Sequence, residues 1–232
     1  MDETSVKEFF DAWSVYGQIL EYNYMSHREL YQDVNLLLAR QFRDRAIKVL
    51  DLGCGSAYHF AQILQNRKVA YYRGYDLSET AIAQAQQNLA PLHTQLDFFQ
   101  GDLLTGLQEN IDTFDLIFCS FALHHFSLAE KAEFFSYAFK RLKFSGILVL
   151  IDVMRDERED REQYYEHYIN RIQKEWTAIA PEDKTALSEH IRSSDFPETA
   201  LTLCAMADEA GFASGREISH YHWHRAWYFE KA

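Results

Sequence analysis

The sequence contains few of the residues that mark fibrous, low-complexity or disulfide-rich proteins. Its 232 residues include 9 glycines, 3 prolines and 3 cysteines. So little glycine and proline excludes a collagen-like or low-complexity architecture. Cys54, Cys119 and Cys204 are odd in number and far apart, so they indicate neither a disulfide framework nor a paired-cysteine zinc site. We interpret them as reduced thiols of a cytoplasmic protein.

Basic residues and long apolar runs are also scarce. The chain has 23 Lys and Arg against 35 Asp and Glu, a formal net charge of −12. Such a balance disfavours non-specific binding to nucleic acid or to an anionic membrane, because both are negative. No segment has the roughly 18 consecutive apolar residues that a membrane helix needs, and the first residues do not resemble a secretory signal. We therefore expect no nucleic-acid partner and no membrane partner, whereas the oligomeric state is not readable.

The chain is nevertheless rich in core-forming residues. Hydrophobic residues make up 47%, with 17 Phe, 14 Tyr and 4 Trp, which is sufficient for a packed core. We expect a single domain over 1–232. It divides into a helical cap at 1–46, an α/β core at 47–153, a helical insertion at 154–198, and a C-terminal helix with a β-hairpin at 199–232.

Short apolar runs alternate with helical patterns throughout the predicted core. Nearly continuous apolar strands separated by helices of 10–15 residues are typical of a parallel sheet covered on both faces. We therefore predict an α/β fold with a doubly wound, mostly parallel seven-stranded sheet. The strands are predicted at 47–52, 69–76, 96–100, 114–120, 146–152, 217–221 and 227–230. In the cap, the spacing of Phe9, Trp13, Tyr16 and Leu20 predicts a helix.

A glycine turn follows the first predicted strand, where a doubly wound fold binds its ligand. The sequence there is Asp51-Leu52-Gly53-Cys54-Gly55. A dinucleotide fingerprint requires a third glycine at position 58, which is Tyr58. Asp51 would also repel a pyrophosphate, and it suits a ligand with a cationic amino group. Both features disfavour a nicotinamide-dependent oxidoreductase, which we keep as an alternative.

This turn resembles motif I of the class I S-adenosylmethionine-dependent methyltransferases, and the resemblance extends over most of the chain. It implies S-adenosylmethionine as cofactor and S-adenosylhomocysteine as product. In the family, the acid matching Asp76 binds the ribose hydroxyls, and the acid matching Asp102 lies beside the adenine. Ala57 departs from the usual last glycine of the turn. The implied cofactor residues are Asp51, Gly53, Gly55, Asp76, Leu77, Asp102, Leu103 and Ser120.

Methyl transfer requires little from the protein besides alignment of the acceptor with the methyl group and exclusion of water. His124 and His125 follow the fourth strand, and they are our candidate catalytic residues, with a purely structural role as the alternative. The segment Ser120-Phe121-Ala122-Leu123 lacks the Asn-Pro-Pro-Tyr pattern of enzymes that methylate adenine N6 or glutamine amides. The resemblance therefore implies transfer to a nitrogen or oxygen of a small metabolite. A non-catalytic cofactor-binding protein is a further alternative.

Small-molecule methyltransferases of this type build a lid from the segments that match the cap and the insertion. Both segments are acidic, with net charges of 2 − 6 = −4 for residues 1–31 and 7 − 12 = −5 for residues 155–200. This favours a neutral or cationic acceptor. His220, His222 and His224 alternate, but the expected hairpin turn separates them, so we predict no metal site. The candidate substrate-pocket residues are Tyr16, Tyr22, His27, Arg28, Tyr165, Tyr168, His222 and His224.

Overall fold

The computed structural model describes residues 14–213 and 215–232. One seven-stranded sheet has the order β3-β2-β1-β4-β5-β7-β6. β1 to β5 are parallel, whereas β7 runs antiparallel to β5 and to β6. The predicted doubly wound, mostly parallel sheet is therefore confirmed. The strands are β1 Ile47–Leu52, β2 Val69–Asp76, β3 Gln95–Gln100, β4 Phe114–Ser120, β5 Leu142–Val153, β6 Arg216–Tyr221 and β7 His224–Glu230.

Helices cover both faces of the sheet. α2, α3, α4, α7 and α8 contribute to the core on one face, and α5, α6 and α9 contribute to the core on the other. The helices are α1 Ser14–Glu21, α2 His27–Gln41, α3 Tyr58–Leu64, α4 Glu79–Leu89, α5 Leu103–Glu109, α6 Leu128–Arg141, α7 Arg161–Glu175, α8 Pro181–Ser194 and α9 Ala200–Ala210.

The central strands are mostly apolar because most positions on both of their faces are buried. In β4, Leu116 and Phe118 pack in the core of one face. Ile117 and Cys119 pack in the core of the other face. Successive side chains of a strand point to opposite sides, so a strand covered on both sides has no position for a solvated residue.

Local capping residues mark several helix ends. Ser78 caps α4 by accepting a hydrogen bond from the backbone of Ala81. Ser127 and Glu130 form a capping box at the start of α6. Gly211 closes α9 in the left-handed conformation, with φ of 104°. These ends were predictable because each depends on side chains within a few residues of the helix terminus.

Other boundaries differ from the prediction. β5 begins at Leu142 rather than at residue 146, and the polar Lys143 within this added stretch binds Asp115. β7 begins at His224 rather than at residue 227, because its first residues pair with Val153 and its neighbours. The short helix α5 was not predicted, since its seven residues are too few to show a period. The predicted positions Phe9 and Trp13 lie outside the described residues.

The described residues contain no helix that is both long enough and apolar enough to cross a membrane.

Candidate active site

The carboxyl ends of the parallel strands open into a cavity. The glycine turn after β1 forms one side of it, with Gly53 at φ 70° and Gly55 at φ 51°. A Cβ on Gly53 would lie 2.8 Å from the Cβ of Ala122, whereas a Cβ on Gly55 would meet no atom within 4 Å. The turn therefore packs tightly against the segment after β4 at Gly53 and is open to the cavity at Gly55.

Two carboxylates from neighbouring strand ends line the same cavity. Asp76 accepts hydrogen bonds from the backbone N–H of Gly55 at 2.7 Å and of Ser78 at 2.9 Å. Asp102 caps α5 by accepting from the N–H of Thr105 at 2.8 Å. These bonds fix both side chains at the cavity. Of the predicted cofactor residues, the cavity is lined by Gly53, Gly55, Asp76, Leu77, Asp102, Leu103 and Ser120.

Asp51 is deeper than the other predicted cofactor residues. It is only 2% exposed, and the hydroxyl of Tyr72 donates a hydrogen bond to it at 2.6 Å. Burial raises the pKa of the Asp51 carboxyl to about 7, against the opposing effect of the Tyr72 hydrogen bond. Asp51 borders a smaller adjoining cavity together with Tyr16 and His27. Burial also lowers the pKa of His27 to about 3, so this imidazole is neutral.

The inner part of the main cavity, here called the chamber, lies between the core and the insertion. Tyr168 and Trp176 contribute aromatic rings, and Leu187, His190 and Ile191 of α8 line the same space. The Tyr168 hydroxyl is fixed by a hydrogen bond of 2.8 Å to Nε2 of His224. The predicted helical insertion is thus two helices that border the cavity.

The two candidate catalytic histidines lie in a tight turn after β4, and both border the chamber. Nδ1 of His124 lies 2.5 Å from Oδ1 of Asp152, and Nδ1 of His125 lies 3.1 Å from the carbonyl oxygen of Ser194. Burial alone would lower the pKa of His124, but Asp152 and Asp195 raise it above its ordinary value. Burial and the neighbouring His124 hold the pKa of His125 well below its ordinary value.

Asp195 is the acidic residue of the insertion that borders the chamber. Burial raises the pKa of its carboxyl to about 6, although His124 opposes this rise. By contrast, the side chains of Glu162 and Glu175 are 74% and 59% exposed. Much of the acidity of the insertion therefore faces solvent, and the chamber itself combines one carboxylate with three imidazoles. The net negative charge of the lid segments therefore does not describe the interior of the chamber.

Several predicted pocket residues are not on the cavity surface. Tyr22 is 54% exposed and stacks on Tyr24. Arg28 donates to the carbonyl of Glu21 and borders a separate groove. His222 lies exposed in the hairpin turn between β6 and β7. The structure therefore brings these side chains to neither the cofactor crevice nor the chamber.

Of the other predicted residues, some hydrogen-bond to residues that line the chamber, and others line the cavity themselves. Tyr165 is buried, and its hydroxyl donates to the carbonyl of Asp195 at 2.5 Å. His224 is fully buried behind Tyr168. Tyr16 and Tyr168 border the main cavity directly.

Sequence reasoning did not identify Trp176, His190 or Asp195. None of the three belongs to a sequence motif, and each is distant in the chain from the glycine turn. Only the packing of the insertion against the carboxyl edge of the sheet brings them to the chamber.

Comparison with known proteins agrees with this geometry. Residues 49–146 match the family model described as a methyltransferase domain. A phosphoethanolamine N-methyltransferase of Plasmodium falciparum is 28% identical over 170 residues, which are 73% of this chain and 61% of that protein. The chain therefore spans less than two thirds of that relative.

Solved structures share the fold. The magnesium protoporphyrin IX methyltransferase of Synechocystis, solved with S-adenosylhomocysteine bound, has a TM-score of 0.66 at 17% identity, with full coverage of both chains. A putative O-methyltransferase of Nostoc punctiforme has a TM-score of 0.61 at 16% identity, covering 87% of this chain and 57% of that one. The family match over residues 49–146, the strand order and the glycine turn together agree with a class I S-adenosylmethionine-dependent methyltransferase domain over the α/β core.

Proposed function

We propose that this protein binds S-adenosylmethionine in the crevice and transfers its methyl group to a nitrogen or oxygen of a small metabolite held in the chamber. One observation supports this above all others. A single cavity joins the crevice formed by Asp76, Asp102 and the glycine turn to a partly closed space lined by Tyr168 and Trp176. Such a cavity holds a donor and an acceptor side by side.

The crevice offers a group for each part of the cofactor. Each carboxylate oxygen has more than one acceptor position, so Asp76 retains capacity for the ribose hydroxyls after binding two backbone N–H groups. Asp102 and Leu103 would border the adenine. Asp51 and the open side of Gly55 would receive the methionine moiety, whose ammonium group balances a carboxylate. The Synechocystis enzyme, which shares the fold, was solved with S-adenosylhomocysteine bound, and this supports the class of cofactor.

The chamber supplies alignment and exclusion of water, which are what an in-line displacement at a methyl group requires. When bound, S-adenosylmethionine would supply its methyl group to a lone pair of the acceptor, the pair of the broken bond would remain on the sulfur of S-adenosylhomocysteine, and the proton lost by the acceptor would pass to a neighbouring base or to water. Trp176, Leu187 and Ile191 would screen the reacting atoms from solvent. His124 and His125 are proposed to stand next to the acceptor. The relative that acts on phosphoethanolamine supports a small acceptor.

A thermal-shift measurement tests cofactor binding. S-adenosylhomocysteine should raise the melting temperature of the protein, and NAD should not. The Asp76→Ala variant should lose the shift, whereas Glu162→Gln, on the exposed side of α7, should retain it. Stabilisation by NAD instead would favour the oxidoreductase alternative.

Incubation with S-adenosylmethionine and a metabolite extract, followed by mass spectrometry, tests transfer itself. A product heavier by one methylene should form with the wild type and not with Asp76→Ala. Cofactor binding without any methylated product would favour the non-catalytic alternative.

A further inference from the structure

Three potential metal ligands converge at the chamber. Among residues 14–213 and 215–232, His124, His125 and Asp195 are the one group of three His, Cys, Asp or Glu side chains whose ligand atoms all lie within 4.8 Å of one another. All three side chains are buried. The histidines belong to the turn after β4, and Asp195 follows α8, so the core and the insertion each contribute to the cluster.

The distances in this cluster suit a shared ion better than direct hydrogen bonds. Oδ1 of Asp195 lies 3.8 Å from Nε2 of His124 and 3.4 Å from Nδ1 of His125. N–H···O hydrogen bonds span roughly 2.7–3.2 Å. Two ligand atoms, each about 2.0–2.1 Å from one tetrahedral Zn²⁺, lie about 3.4 Å apart. The spacing of Oδ1 from Nδ1 of His125 therefore matches that of two ligands of one cation, and the spacing from Nε2 of His124 is somewhat longer. Ligation through Nδ1 of His125 would replace its hydrogen bond to the Ser194 carbonyl.

One carboxylate oxygen of Asp195 can still accept a hydrogen bond or bind an ion. Its buried Oδ1 accepts no hydrogen bond from any residue that the structure describes. The nearby ammonium group of Lys131 donates instead to the carbonyl oxygens of Phe126 and Phe196. A buried carboxylate oxygen without a donor is costly, so this atom marks a place for a ligand.

The surroundings of His124 follow the usual pattern behind a metal-binding imidazole. Such a residue typically donates its other ring N–H to a carboxylate, which fixes the ring and makes the ligating nitrogen more basic. Nδ1 of His124 is held by Asp152 at 2.5 Å, which leaves Nε2 facing Asp195. Since Asp152 is itself only 2% exposed, solvent does not compete for this contact.

We propose that His124, His125 and Asp195 bind one divalent transition-metal cation of the Zn²⁺ or Co²⁺ type. Two imidazoles and one carboxylate leave at least one coordination position open. Because the three residues border the chamber, that position faces the proposed acceptor. Binding of the ion does not depend on the proposed function. Its role, which is to hold an acceptor oxygen or nitrogen and favour its deprotonated form, rests on that function.

The test uses the full-length protein stripped with a chelator and then titrated with Co²⁺ or Zn²⁺ alone. We expect one Co²⁺ per chain by equilibrium dialysis, with visible absorption bands of a four- or five-coordinate ion. Asp195→Asn should weaken binding at least about tenfold, and His124→Gln should do the same. The matched control is His167→Gln, because that exposed imidazole also pairs with a carboxylate, Glu159, but lies outside the cluster.

Three outcomes would overturn the proposal. They are no stoichiometric binding, binding that Asp195→Asn leaves unchanged, and binding that is lost instead in a variant with His220→Gln and His222→Gln. X-ray absorption of the cobalt-loaded wild type needs no variant to fold, and it should show two imidazoles and oxygen donors without sulfur. The thermal shift with S-adenosylhomocysteine, measured on the same metal-free protein, reports separately on the proposed function.

Discussion

Replacement of Gly53 by alanine should destabilise the protein much more than the same change at Gly55. Both residues have left-handed φ values, 70° and 51°, so both substitutions incur a backbone cost of about 1 kcal/mol. Only Gly53 has a close neighbour, because its added Cβ would lie 2.8 Å from the Cβ of Ala122. Relieving such an overlap typically costs about 1–3 kcal/mol more.

The expected losses of unfolding free energy are therefore about 2–4 kcal/mol for Gly53→Ala and about 1 kcal/mol for Gly55→Ala. Urea unfolding of the two variants and the wild type measures the difference. Because Gly55 faces the cavity, its methyl group should instead reduce the affinity for S-adenosylhomocysteine. Equal destabilisation by the two substitutions, or a larger loss at Gly55, would refute the packing argument.

Three further predictions concern the crevice, the chamber and one helix end. The pKa of Asp51 is raised to about 7, so the folded protein favours the neutral carboxyl. The contribution of Asp51 to the free energy of unfolding therefore falls as the pH rises from about 4 to 7. Since a cationic ligand favours the carboxylate, calorimetry should show the affinity for S-adenosylhomocysteine rising from pH 6 to 8, and Asp51→Asn should flatten this rise. His125→Gln should reduce methyl transfer at least about tenfold while the thermal shift with S-adenosylhomocysteine persists, and an unchanged rate would remove His125 from the reaction. Ser78→Ala should cost about 1 kcal/mol in urea unfolding, because it removes the cap of α4, and a neutral result would contradict the capping contribution.

The sequence alone was sufficient for the core and for most of the cofactor crevice. β1, β2 and β4 have the predicted bounds. β1 and β4 are buried along almost their whole length, so each forms a distinct, mostly apolar run. The glycine turn was also readable because it follows a strand, and the family resemblance implied Asp76 and Asp102, which lie at or just after the carboxyl ends of parallel strands. These features depend on local pattern and on a topology with few alternatives.

The chamber was decided by tertiary structure. Spacing in the insertion showed tyrosines at helical intervals, but it could not show that Tyr168 borders the cavity while Tyr165 is packed behind it against Asp195. Likewise, the net charge of the segment did not reveal that only some carboxylates face inward. The register and rotation of α7 and α8 against the sheet determine which side chains enter the chamber. Because contacts between residues distant in the chain set that rotation, the sequence determined the cofactor crevice and the packing determined the acceptor chamber.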